Sequence, residues 1–299
     1  MILSYKIHEL TDYINWIYFF HAWGFQPRFA SIADIHGCDT CRALWLRDTP
    51  VEDRPKATEA MQLFKEAQRM LWKLDEDYQV HAMFRLCEAN ADGDDLLLDG
   101  MRFPLLRQQS AKSDNSPSLC LSDFVRPLSS GQPDTVGVFA TTVDEALEQL
   151  YENDPYQRML VHVLAERLAE AAAERIHEQV RKEYWGYAKD EHLTIKQLLR
   201  EDYQGIRPAV GYPSLPDQSV NFLLDKLLDL SKIGIRLTEN GMMSPRASVS
   251  GLMFAHPQAR YFAIGKIGED QLADYAARRD MPVETLRKFL AANLTDNNP

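Results

Sequence analysis

"IRLTENGMMSPRASVSGLMFAHPQARYFAIGKI", residues 235–267, decides the fold class. Its two apolar runs, at about 248–255 and 260–267, are short and carry Val, Ile, Phe and Tyr. Those side chains fit a pleated, partly buried surface, so both runs read as strands. Tyr261 and Phe262 open the second run. As strand neighbours they must face opposite sides, one into the core and the other free to close a pocket. Upstream, "VHAMFRLCEA" (80–89) and "DLLLDGMRFPLL" (95–106) also read as strands, with Asp99-Gly100 as a turn. "DTVGVFATT" (134–142) is a further strand. Helical patterns occupy 8–24, closed by Gly24, and 52–76, where Ala60, Leu63, Phe64, Ala67, Met70, Leu71 and Leu74 recur at three- and four-residue steps. Residues 143–152 and 155–184 read as helical, as do the terminal stretches 268–279 and 282–294, with Pro282 near a first turn where it is tolerated. "SAKSDNSPS" (110–118) is a polar loop. "ANADGDD" (89–95) is a polar hairpin turn, since it lacks the twelfth-position glutamate and the helix pair of a calcium loop. Strands and helices do not alternate regularly, which argues against a doubly wound sheet. The expectation is α+β, a mainly antiparallel sheet flanked by helices, with no repeat or linker that forces a domain cut.

The bulk numbers narrow the function classes. The 299 residues are 45% hydrophobic and 26% charged, the balance of an ordinary globular chain with a sizeable core. No apolar run approaches the length of a membrane span, and the N-terminus lacks the pattern of a signal peptide, so the chain is read as cytoplasmic. A formal net charge of −11 opposes nucleic-acid binding, which needs a basic footprint. There is no dinucleotide fingerprint, Walker A loop or G-x-S-x-G elbow. Cys38 and Cys41 form one C-x-x-C in "IHGCDTCRALW", and His36 offers a third zinc ligand. No second C-x-x-C follows and no βαβ context surrounds it, so the pair is read as reduced structural thiols and no metal is assigned.

Two features carry chemistry. Glu166, Glu170, Glu174 and Glu178 repeat every four residues and line one helical face. Like charges at that spacing cost a few tenths of a kcal/mol per pair. The row reads as a solvated face, or else as one that turns a glutamate into a ligand groove. The second feature is "GIRPAVGYP", residues 205–213. Pro208 and Pro213 fix their own φ and push Arg207 and Tyr212 toward extended backbone. Gly205 and Gly211 allow sharp paths. The result is a stiff hook with a guanidinium at one end and a phenol at the other. Arg grips carboxylates with two prongs, and a ring packs on a base or a cation. An amino acid joined to adenosine matches both, as against a plain turn with a surface Arg.

With "DYINWIYFFHAWG", "LCLSDFVRPLSSG", "RLAEAAAERIHEQVRKEYWGYAKDE", "REDYQGIRPAVGYPSLPDQS" and "DQLADYAARRDMPVE" set beside the opening stretch, the chain resembles the activation domain of cobalamin-dependent methionine synthase over nearly its whole length. The resemblance implies a single C-shaped α+β domain over 1–299 that binds S-adenosylmethionine. It implies that Arg207 holds the methionyl carboxylate, that the backbone at Ala209 meets the adenine, and that Gly211 and Tyr212 belong to the same site. Glu170 and Glu201 match its acidic positions, and Tyr261 and Phe262 its aromatic pair. No side chain is assigned a catalytic role. The family's activation step moves a methyl group from S-adenosylmethionine to cob(I)alamin after a flavodoxin-type donor delivers an electron.

Two departures stand out. The family pattern Y-I-D-W is "YINW" here, so Asn15 keeps a carbonyl acceptor and loses a charge, where a charge-assisted bond is roughly twice as strong as a neutral one. Residues about 28–55, with both C-x-x-C cysteines, look like an insertion. No homocysteine, folate or corrinoid module is visible, so the expectation is a free-standing component that acts on a corrinoid-binding methionine synthase module in trans and does not make methionine alone. A non-catalytic S-adenosylmethionine sensor or cap, and an interaction protein for another corrinoid methyltransferase, remain as alternatives.

Overall fold

Residues of Asp134–Val143 alternate between two apolar cores, with Val136, Val138 and Ala140 in one and Phe139 and Val143 in the other. This period-two pattern marks a strand buried on both faces, and the rest of the chain is arranged around it. The computed structural model describes residues 1–110 and 116–295. Its strands are Ile2–Lys6 (β1), Gln79–Asp92 (β2), Asp95–Leu98 (β3), Met101–Pro104 (β4), Asp134–Val143 (β5), Arg236–Leu237 (β6), Met243–Ser244 (β7) and Ser248–Met253 (β8). Its α-helices are Trp16–Ala22 (α1), Asp39–Asp48 (α2), Arg54–Leu74 (α3), Pro155–Gln179 (α4), Ile195–Leu198 (α5), Asn221–Leu228 (α6), Glu269–Arg279 (α7) and Val283–Phe289 (α8).

The main sheet runs β4-β3-β2-β5-β8, and every pairing is antiparallel. The long β2 serves two neighbours along one side. β1 pairs with its first half, Gln79–Met83, and β3 with its end, Ala89–Asp92. Asp99 and Gly100 both take positive φ in the tight β3–β4 turn, as an Asp-Gly hairpin requires. The α+β class with a mainly antiparallel sheet is therefore the observed one.

Helix α4 lies on the Phe139 face. Asp154 caps it by accepting the Gln157 N–H at 3.1 Å, and Pro155 occupies its first turn. Its small residues Ala169 and Ala171–Ala173 are buried, and the Thr141 hydroxyl donates to the Ala169 carbonyl at 2.9 Å, so sheet and helix meet closely. α1 and α3 complete this core with Phe19, Phe20, Phe64 and Leu71. α6 covers the opposite face with Leu224 and Leu228. A third core joins α7 and α8 to Leu106, Ile264 and Ile267. Asp217 ties it to the rest, accepting from the Tyr275 hydroxyl and Arg279, each at 2.8 Å.

Several boundaries differ from the sequence reading. The stretch 8–24 is not one helix. Residues 7–9 and 11–13 form separate 3-10 turns, and Asn15 starts α1 by accepting the Ile17 N–H at 3.2 Å. A side chain that satisfies a free helix-start N–H makes a boundary where the apolar pattern ran on. In 143–152 only a 3-10 turn at Glu145–Gln149 forms, and the last turn of 155–184 is π-helical from Val180. Residues 260–267 form no strand. Their backbone groups find only scattered partners: Ile264 N–H bonds the Pro213 carbonyl at 2.8 Å, and Ile267 makes one isolated bridge, its N–H to the Asn293 carbonyl at 2.8 Å and its carbonyl from the Thr295 N–H at 3.1 Å. Most of the 110–118 loop lies outside the described residues. No helix among the described residues is long and apolar enough to cross a membrane.

Candidate functional site

The hook at 205–213 is fixed by the backbone of β8. Ile206 and Phe254 exchange two hydrogen bonds at 3.0 and 2.9 Å, the Leu252 N–H reaches the Pro208 carbonyl at 3.0 Å, and the Val210 N–H reaches the Ser250 carbonyl at 2.9 Å. Two glycines permit this approach. A Cβ at Gly205, where φ is +89°, would sit 2.2 Å from the Phe254 carbonyl oxygen. One at Gly251 would sit 2.2 Å from that of Pro208. Neither contact is possible for a real side chain.

Strapped in this way, the hook faces α4 across a cavity of about 710 Å³, a size usual for small-molecule sites. Asn15, Glu170, Glu201, Arg207, Ala209, Tyr212, Tyr261 and Phe262 all line it. Gly211 does not. With φ at +86° it bends the hook behind Tyr212, and its N–H bonds the Leu215 carbonyl at 2.9 Å. Tyr261 and Phe262 were expected on opposite sides of a strand. Both line the cavity, because irregular backbone imposes no alternation. The Ser214 hydroxyl holds their turn by meeting both the Phe262 carbonyl and, at 3.1 Å, the Phe262 N–H.

Arg207 is only 7% exposed. Its Nη2 donates to Glu174 Oε1 at 2.5 Å, its backbone N–H donates to the Tyr261 hydroxyl at 2.9 Å, and its guanidinium lies 5.7 Å from the Phe139 ring centre. Its Nε has no hydrogen-bond partner among the described residues. The Tyr212 hydroxyl donates to Glu170 at 2.6 Å, and burial together with the Glu170 charge pushes that phenol up. Glu201 holds a left-handed backbone at φ 62°, uncommon for a residue with a side chain and found disproportionately at functional sites. Burial and the nearby Glu174 push its carboxyl above the ordinary range, against the pull of Arg207.

Glu174 is the residue that the sequence reading left among a solvated row. In fact Glu166, Glu170 and Glu174 all line the cavity, while Glu178 turns away and accepts the Tyr13 hydroxyl at 2.5 Å. The four-residue spacing was the available signal, and what it lacked was a reason to put the hook opposite that face. Tyr13, Tyr18, His21, Arg167, Pro208 and Ser214 are also in the wall. Asn15 commits its carbonyl oxygen to the α1 cap. Four carboxylates, Glu166, Glu170, Glu174 and Glu201, thus surround two guanidinium groups, Arg167 and Arg207. The cavity suits a ligand that carries positive charge and one carboxylate.

A buried layer supports the hook from below. Arg181 is fully buried, grips Glu191 with two bonds at 2.9 and 2.7 Å, and stacks 4.1 Å from the Tyr203 ring centre. His177 meets the same ring edge-on at 4.9 Å. Burial, with Arg181 and Arg207 nearby, holds its imidazole well below the ordinary value. The C-x-x-C segment lies outside this cavity. Cys38 caps α2, its Sγ accepts the Cys41 N–H at 3.3 Å, and hydrogen bonds from His36 and Cys41 bring its thiol down to about 6.

Known proteins share the architecture of the chain as a whole. The crystal structure of the MetH reactivation domain bound to AdoHcy superposes with a TM-score of 0.86, at 37% identity, over 99% of this chain and 90% of that one. The family model described as the activation domain of vitamin B12 dependent methionine synthase matches residues 6–280, and the chain belongs to that family.

Proposed function

We propose that the cavity binds S-adenosylmethionine and that the chain reactivates a cobalamin-dependent methionine synthase. The observation that carries this reading is the charge balance around Arg207, one deeply buried guanidinium in a wall of carboxylates. S-adenosylmethionine brings an ammonium and a sulfonium against a single carboxylate. The reactivation domain similar to this chain was crystallised with AdoHcy, which differs by the methyl group. Arg207 takes the ligand carboxylate, sharing its guanidinium with Glu174. Glu170 and Glu201 offer acceptors for the ammonium and the ribose hydroxyls, and the backbone at Ala209 meets the adenine. Tyr212, Tyr261 and Phe262 pack against the ligand's flat and apolar parts.

When bound, S-adenosylmethionine would supply an electrophilic methyl group to the reduced corrinoid carried by a partner methionine synthase module, and the sulfur would leave with the bond's electron pair as S-adenosylhomocysteine. An in-line displacement needs positioning more than proton transfer. This chain's residues therefore bind and orient, and none is assigned as acid or base. The electron comes from a flavodoxin-type donor. The whole chain acts as one activation-type domain, with residues 28–55 as an insertion into it. The test mixes the chain with methyl-labelled S-adenosylmethionine, an inactive corrinoid module and reduced flavodoxin. Label on the corrinoid that depends on this chain supports the reading. Tight ligand binding with no transfer would leave a sensor or cap.

A further inference from the structure

We propose that His36, Cys38 and Cys41 form a zinc site, independent of the cavity. One ligand atom from each of the three lies within 4.8 Å of the other two. Tetrahedral zinc with Zn–S bonds of about 2.3 Å sets its sulfurs about 3.8 Å apart, so an adjustment of about 1 Å or less closes the site. Thiolate and imidazole together suit zinc, whereas magnesium and calcium take oxygen ligands. Three protein ligands leave the fourth position to water.

The surroundings give the ion a purpose. None of residues 33–56 is fully buried, and only Ala33, Ile35, Trp45 and Leu46 of this segment pack, half-buried, against the main core. Leu44 and Val51 are exposed. Beyond that thin apolar contact the segment is held to the body by polar contacts: Trp45 Nε1 to the Ser31 hydroxyl at 3.0 Å, Arg28 to Asp53 at 2.8 Å, and Lys196 to Asp34 at 3.0 Å. Surface pairs of this kind contribute little each. A stretch that buries so little apolar surface is where a metal supplies folding free energy directly. The three ligands sit at the corner where the 3-10 run Pro27–Asp34 turns into α2. Cys38 is at the helix N-cap, where backbone N–H groups favour a thiolate, and the Cys41 N–H already points at its sulfur.

The experiment uses the full chain, purified under reducing conditions without a metal-affinity step. Metal content is read by mass spectrometry, and cobalt(II) is substituted for an absorption spectrum. The expected results are about one zinc per chain and a thiolate-to-cobalt charge-transfer band with tetrahedral intensity. Cys38→Ser/Cys41→Ser loses both. His36→Ala holds zinc more weakly, and a chelator strips it at a concentration that leaves the wild type loaded. Removing zinc from the wild type speeds amide exchange in α2 and leaves α4 unchanged, which keeps the test sound should a variant misfold. The proposal is overturned if the reduced chain takes up no stoichiometric zinc, if the double serine variant keeps its zinc, or if the native cysteines are found joined as a disulfide without metal.

Discussion

Replacing Arg207 by Ala tests the site most directly, because two separable losses follow from one geometry. Arg207 is 7% exposed and pairs with Glu174, whose side chain is 18% exposed. Breaking a buried pair by removing one partner costs about 3–5 kcal/mol, most of it from the charge left behind. The residual exposure of Glu174 puts this case at the lower end, about 3 kcal/mol. At about 2 °C per kcal/mol for a chain of this size, the melting temperature falls by about 6 °C. Binding suffers separately. A hydrogen bond to a charged group contributes about 1.5–3 kcal/mol, which is about a 10- to 150-fold loss in affinity for S-adenosylmethionine. Arg207→Ala/Glu174→Gln separates the two effects. With no stranded carboxylate it regains most of the melting temperature, while affinity stays low. Calorimetric titration and thermal unfolding of wild type, single and double variants give both quantities. Undiminished affinity in Arg207→Ala, or affinity restored in the double variant, would refute the role of the guanidinium.

Three further outcomes are expected. Glu201 has a folded-state pKa above its unfolded one, so the native state holds the proton more readily and stability falls as pH rises through that window. Glu201→Gln therefore melts higher than the wild type at pH 7, and the advantage vanishes below about pH 4, where the carboxyl is protonated in both states. His177 shifts the other way. Its imidazole is held neutral when folded and charges when unfolded, so it costs up to about 1.4 kcal/mol per pH unit below pH 6.5. His177→Leu flattens the dependence of unfolding free energy on pH between about 6.5 and 5, measured by urea titration. Gly251→Ala drives a Cβ into the Pro208 carbonyl and displaces the hook. It abolishes ligand binding in calorimetry, while Gly24→Ala, at positive φ but in open space, leaves it intact.

How much of this was legible in the sequence depends on which forces act locally. The period-two runs at β2 and β5 and the amphipathic stretch of α3 announce themselves, since each is set by burial of its own residues. The breaks did not. Asn15 divides the 8–24 run through one side-chain bond that starts α1, and the strand propensity of 260–267 is overridden because its backbone partners are isolated groups distant in sequence. The site shows the same division. Arg207 and Tyr212 were visible in the stiffness of the hook. Glu174 was not, because its importance comes from a guanidinium 33 residues away that the fold brings within hydrogen-bond reach.

The attachment of the hook to β8 has a consequence beyond ligand binding. β8 ends the main sheet, so its outer N–H and C=O groups would otherwise stand unpaired, the template on which sheets of separate molecules add to each other. The ligand loop is also the guard on that open edge. Substitutions that loosen it therefore expose a pairing edge as well as disturb the cavity, and a variant such as Gly251→Ala should divert part of its protein to the insoluble fraction while the soluble remainder is titrated.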